Sequence, residues 1–341
     1  MIKKAVVTSL VAALGLVAGS AAAQQELNIY SARHYQTDEA LYGNFTKQTG
    51  IKINRIEAKE DELLERLRNE GANSPADILI TVDASRLAKA DDMGLFAPVE
   101  SAVLAERIPA HLRTNTWIAF STRARVIVYN KDMVKAEQVQ NYEDLAKPEL
   151  KGKVCTRSGS HPYNLSLGAA LIQHNGAEKT EEWARNLVAN FARNPRGGDT
   201  DQIRAVAAGE CGVAIANSYY MARILKSDKP EDKAVAEKVK VVFPNQATSG
   251  THVNIAGAAV AKHSKNRDNA IAFMEYLASP AAQRYFADGN NEFAAAKDVK
   301  LDNPALKAMG GEHFKAEQIP LEVVARNLTK VQQMLDRAGY K

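Results

Sequence analysis

The apolar positions of this chain change period repeatedly, and each change predicts a new element. Leu27–Tyr30 reads as a short strand. Thr37 then opens a helix that shows Leu41 and Phe45 four apart and ends at Gly50. Ile51–Ile56 returns to strand character, and Glu60–Glu70 is a helix with Leu63, Leu64 and Leu67 on one face, stopped by Gly71. Asp77–Val82 is an apolar strand, followed by a helix over 83–92 that closes at Gly94. This βαβα rhythm predicts an α/β fold with a mostly parallel sheet covered by helices on both faces.

A second series follows. Arg125–Tyr129 and Lys153–Thr156 are expected strands, 178–192 a helix, and Thr200 the cap of a helix bearing Ile203 and Val206. Gly212–Ala216 is a strand that leads into a helix near Tyr219; Lys238–Phe243 and Asn254–Ala261 are further strands. Helices are expected over Arg267–Ala278, Pro280–Ala287 and Leu321–Ala338. No repeat and no low-complexity linker divides the series, which suits two lobes joined by strands that cross directly between them.

The first residues differ in kind. Lys3 and Lys4 precede an uncharged apolar stretch over 5–18, and Ser20-Ala-Ala-Ala23 supplies small residues for cleavage. This is the layout of an export signal over 1–23, and the stretch is short for a bilayer span, which needs about 20 residues. No Cys follows the cleavage site, so no lipid anchor is expected. Removing 23 of 341 residues leaves 318, which is long for one ordinary core. The net charge falls from +4 to +2 with the loss of Lys3 and Lys4. That near balance of interspersed charges favours neither nucleic acid nor a membrane surface as partner. Cys155 and Cys211 are the two cysteines. Outside the cytoplasm they invite a disulfide, with two free thiols as the alternative.

Phosphate-binding glycine motifs, a nucleophile elbow, a zinc-protease helix and paired Cys-x-x-Cys motifs are all absent from the sequence. What stands out is a set of phenols after expected strands: His34-Tyr35 after the first, Tyr163 in the loop Ser158-Gly-Ser-His-Pro-Tyr163-Asn, and Tyr219-Tyr220 after Gly212–Ala216. Ligands of open α/β sheets sit beyond the carboxyl ends of strands, so these segments can converge. Phenolates are hard oxygen donors that suit a hard cation such as Fe³⁺. Four of them around Fe³⁺ leave one net negative charge, for which Arg33 and Arg223 are nearby counter-charges. Each aromatic also has an ordinary reading as a packed side chain, and His161 and His252 have no context beyond that.

Tyr30-Ser-Ala-Arg-His34-Tyr35-Gln-Thr-Asp38, Asn73-Ser-Pro-Ala-Asp77, Arg157-Ser-Gly-Ser-His-Pro-Tyr163-Asn164, Asn217-Ser-Tyr219-Tyr220, Asn245-Gln and Gly250-Thr-His-Val-Asn254 together resemble the periplasmic ferric-iron-binding proteins of bacterial iron ABC transporters. The resemblance spans the mature chain in order, and the tyrosine pair is its most specific mark. It implies a two-lobed periplasmic binding protein of type II-like fold, each lobe a helix-covered mixed sheet. The expected lobes are 24–125 plus 251–300 and 126–250 plus 301–341. It also implies metal ligands at Tyr35, Tyr163, Tyr219 and Tyr220, with His34 as a further ligand of the Arg-His-Tyr subgroup, and Arg223 in a charge-balancing position. The resemblance also implies that a helper anion is not required, with carbonate as the remaining option.

The function implied is that of a monomeric, non-enzymatic periplasmic receptor that captures Fe³⁺ and hands it to an inner-membrane ABC permease. A same-fold receptor for a polyamine, thiamine or an oxyanion is the sibling alternative, distinguished by a calorimetric solute screen. A ferric-tyrosinate oxygenase is the enzymatic alternative, and it would need an open metal position for substrate.

Overall fold

The computed structural model describes residues 25–33 and 35–341. The expected export signal over 1–23 and His34 lie outside the described residues. Among the described residues nine strands run in chain order: β1 Glu26–Ser31, β2 Lys52–Glu57, β3 Ile78–Thr81, β4 Trp117–Asn130, β5 Val154–Cys155, β6 Val213–Asn217, β7 Val239–Val242, β8 Val253–Val260 and β9 Phe293–Ala294. They pair in the order β2-β1-β3-β8-β4-β6-β5, with β7 and β9 also on β4. The sheet is mixed rather than mostly parallel. The early βαβα units pair in parallel, but β8 enters antiparallel between β3 and β4, and β4 pairs antiparallel with β6.

Strand β4 joins the two lobes. Its first part, Trp117–Ala124, pairs with β8, and its second, Arg125–Asn130, pairs with β6 and β7. Only the second part is legible as an expected strand, because Ser121, Thr122 and Arg123 interrupt the apolar alternation. All three are buried. Ser121 and Arg123 have partners that compensate for that burial: Ser121 Oγ donates to Glu292, and Arg123 Nη1 donates to the carbonyls of Val82 (2.5 Å) and Ile255 (2.8 Å). Gly257 on β8 permits the close crossing, since a Cβ there would lie 2.7 Å from the Ile118 carbonyl oxygen.

The first lobe has one continuous core, in which β1, β3 and β8 meet helices bearing Leu41, Phe45, Leu63, Leu67, Leu87 and Phe273. The second lobe splits its core over two sheet faces, as a strand period of two requires. Val126 and Val128 of β4 join Ala214 and Ala216 of β6 on one face, while Ile127 joins Val213 and Ile215 on the other. Cys155 and Cys211 form a disulfide with Cα atoms 5.8 Å apart, fastening β5 beside β6.

Three expected details are corrected. Tyr163 is not in a loop: it lies in the first turn of the Pro162–Asn175 helix, where Pro162 is pre-set for the first helical position and His161 Nδ1 accepts the Tyr163 N–H at 3.2 Å. Thr200 is inside the Asp199–Ala207 helix, whose start is satisfied instead by Asp201 accepting the Gly198 N–H at 2.7 Å. The C-terminal helix is two helices, Leu321–Arg326 and Leu328–Ala338, because Asn327 turns away from helical geometry and its side chain donates to the Val323 carbonyl. The shorter piece bridges the lobes: Leu321 joins the first-lobe core and Val324 the second.

Candidate functional site

The phenols gather where strands give way to helices. β6 ends at Asn217 and the Ser218–Lys226 helix begins at once. Successive side chains of a strand point to opposite faces, but the turn into the helix brings Tyr219 and Tyr220 together, with ring centroids 4.3 Å apart. Ser218 fixes the junction by accepting the Ala124 N–H on β4. Tyr163 arrives from the first turn of its own helix, and its hydroxyl lies 3.2 Å from that of Tyr219. Tyr163 and Tyr219 each sit in the first turn of a helix, the end at which the helix dipole is positive.

Tyr35 approaches from the first lobe, just after β1. The Arg223 guanidinium ties it to the others: its carbon lies 5.8 Å from the Tyr35 ring centroid, 5.0 Å from that of Tyr219 and 5.8 Å from that of Tyr220. Four of the five sequence-predicted ligands are therefore brought together; the fifth, His34, lies outside the described residues. Among the described residues no group of three or more His, Cys, Asp or Glu could hold a metal ion.

The electrostatics of the cluster are set by burial and mutual repulsion. Tyr219 is 5% exposed, and burial pushes its phenol well above the ordinary value, followed by the charges of Tyr163, Tyr220 and Tyr35. Tyr163 is pushed up to about 12, first by burial and next by Tyr220, while Arg123 and the Tyr219 hydrogen bond pull the other way. Both phenols therefore keep their protons at neutral pH until a cation displaces them.

Guanidiniums lie against the rings. Arg123 lies 5.8 Å from the Tyr219 ring centroid, Arg157 5.1 Å and Arg125 5.6 Å from that of Tyr163. Asp199 holds two of these, accepting from Arg125 Nη1 at 2.5 Å, from Arg157 Nη1 at 3.0 Å and from the Asn217 N–H at 2.7 Å. Arg33, one of the expected counter-charges, stacks 4.7 Å from the Tyr35 ring centroid but is already paired with Asp38 and Glu292. Arg223 is the expected counter-charge that faces the phenols from both lobes.

Sequence reasoning missed Arg123, Arg125, Arg157, Asp199 and Glu292. Buried arginines at 123 and 125 within an apolar strand were the available signal, since such charges need partners and sit where charge is used. Of the two histidines without context, His161 caps the Tyr163 helix, and burial, then Arg157 and Arg125, push it down to about 4. His252 is buried between Ser166 and Glu317.

The arrangement is a cluster of phenols, Tyr219 buried and Tyr35, Tyr163 and Tyr220 half-buried, backed by guanidiniums and suited to a small cation acidic enough to displace phenol protons. The sequence pattern of the bacterial extracellular solute-binding protein family matches residues 73–309. Iron uptake protein A1 of Synechocystis sp. is 47% identical over 327 residues, covering 95% of this chain and 90% of the relative. Among solved structures, Trichodesmium IdiA/FutA in complex with iron and citrate ligands aligns with a TM-score of 0.89 at 49% identity, covering 93% of this chain and all (100%) of that one. The ferric binding protein from Campylobacter jejuni aligns with a TM-score of 0.83 at 44% identity, over 92% of this chain and 100% of that one.

Proposed function

The chain belongs to the bacterial extracellular solute-binding protein family, and we propose that its solute is Fe³⁺, captured between the lobes by Tyr35, Tyr163, Tyr219 and Tyr220 as phenolates. His34 is a further candidate ligand. In this reading residues 24–125 with 251–300 form one jaw and 126–250 with 301–341 the other. The observation that carries it is the convergence of phenols from both lobes on one guanidinium, with Tyr163 and Tyr219 hydroxyls 3.2 Å apart.

Fe³⁺ is a hard acid matched to phenolate oxygen, and its binding releases the phenol protons. Arg223 offsets the residual negative charge. A helper anion such as carbonate would find donors as well: among the described residues, the buried Arg123 Nε, Arg125 Nε and Asn217 Nδ2 have no hydrogen-bond partner, and their side chains line a small cavity with Tyr163. The protein acts as a receptor in the periplasm, not as an enzyme, and closure of the jaws presents the loaded form to an inner-membrane ABC permease. Adding Fe³⁺ to the metal-free protein should produce a visible tyrosinate charge-transfer band. No band, or a band unchanged in the Tyr219→Phe/Tyr220→Phe double variant, refutes the reading.

A further inference from the structure

Glu292 contributes no atom to the phenol cluster, yet it holds two of the guanidiniums behind it. It follows Asn291, which takes a left-handed turn (φ 57°) out of the Pro280–Asn290 helix, and it is 2% exposed. Arg33 Nη1 donates to both its oxygens, at 3.2 and 3.0 Å; Arg123 Nη2 donates to Oε1; Ser121 Oγ donates to Oε2 at 2.9 Å. Arg33 lies against the Tyr35 ring, and Arg123 lies 5.8 Å from the ring centroid of Tyr219. One carboxylate thus fixes the guanidinium behind a first-lobe phenol and the one behind a second-lobe phenol. Arg33 is also paired with Asp38 through Nε at 2.8 Å. The buried quartet of Arg33, Arg123, Asp38 and Glu292 is therefore electrically neutral, and it adds no net positive charge behind the phenols.

We propose that Glu292 is a positioning residue of the iron site, which holds Arg33 and Arg123 and, by cancelling their charge, sets how strongly the cleft prefers Fe³⁺ over Fe²⁺. This rests on the tyrosinate reading above. Four phenolates leave one net negative charge around Fe³⁺ and two around Fe²⁺. Removing the Glu292 charge leaves the quartet positive, which favours the more negative ferrous state. A unit charge on the order of 10 Å from the ion, at an effective dielectric near 20, changes the preference about tenfold.

The test compares wild type, Glu292→Gln and Glu292→Asp in the full-length mature protein. The ratio of Fe³⁺ to Fe²⁺ affinity is read by spectroelectrochemical titration of the charge-transfer band, with a thermal melt of each variant. Glu292→Gln should lower the ratio about tenfold, equivalent to about 59 mV for a one-electron couple. Glu292→Asp keeps the charge but draws it back by one methylene, and should lower the ratio by a smaller factor. That second variant carries the test alone should Glu292→Gln not fold. An unchanged ratio in the folded variants, a rise, or an aspartate effect as large as that of glutamine overturns the proposal. Absence of the band in the wild type instead overturns the tyrosinate reading, so the two failures are distinct.

Discussion

Replacing Tyr163 by Phe isolates one phenol oxygen, and its consequence can be counted in protons. With Tyr163 pushed up to about 12, ionising it at pH 7 costs about 7 kcal/mol in the metal-free protein. The metal–oxygen bond must offset that cost, and the proton must leave. If all four phenols ligate, binding at pH 7 releases about four protons, so affinity rises with pH and falls on acidification. Tyr163→Phe keeps the ring packed near His161, Arg125 and Arg157 while deleting the hydroxyl that pairs with Tyr219. The released count should fall by one, to about three. The assay is calorimetric titration with ferric nitrilotriacetate in two buffers of different protonation heat, corrected for the proton uptake of the chelator. An identical count in wild type and variant refutes Tyr163 as an ionising ligand. A wild-type count near zero refutes displacement of phenol protons altogether.

Three further outcomes follow from the scaffold. Glu60 is pushed up to about 7 by burial and then by Asp83, so the native state binds more protons than the unfolded state between pH 4.5 and 7 and loses stability as pH rises through that window. Glu60→Gln should remove this slope in chemical denaturation curves and gain up to about 3 kcal/mol above pH 7, with no gain below pH 4.5. The Cys155–Cys211 disulfide encloses a sequence separation of 56 residues, and denaturant midpoints of the Cys155→Ser/Cys211→Ser variant should report a loss of about 4 kcal/mol. Asp199→Asn leaves Arg125 and Arg157 without their buried counter-charge and should cost about 3–5 kcal/mol by the same measurement.

Much of this architecture is legible along the chain because its signals are local. Leu63, Leu64 and Leu67 announce a helix by spacing, and Gly50 and Gly71 end helices with positive φ. Tyr219 and Tyr220 were legible as a pair because a strand pattern stops directly before them. The first half of β4 was not, since what makes it a strand is long-range: Arg123 and Ser121 are buried only because Glu292 and the Val82 and Ile255 carbonyls come to meet them. The Pro162–Asn175 helix was hidden for a related reason. It is apolar around most of its girth, from Leu167 and Gly168 to Leu171, so it lacks the one-sided stripe that marks a surface helix. Gly168 shows how tightly it is enclosed, since a Cβ there would come within 2.6 Å of Val331. The counter-charges of the site belong to the same class of information: Arg223 is four residues from Tyr219, whereas Arg123 and Glu292 reach the phenols only through the fold.

In the proposed reading, phenol oxygens from both lobes hold one ferric ion. A crystal structure of the Fe³⁺-loaded protein, with anomalous differences recorded at the iron edge, tests it most directly. One strong peak is expected between the lobes, at bonding distance from the hydroxyl oxygens of Tyr35, Tyr163, Tyr219 and Tyr220. A peak outside the cleft, or one in the cleft held by carboxylates with the phenols turned away, would contradict it.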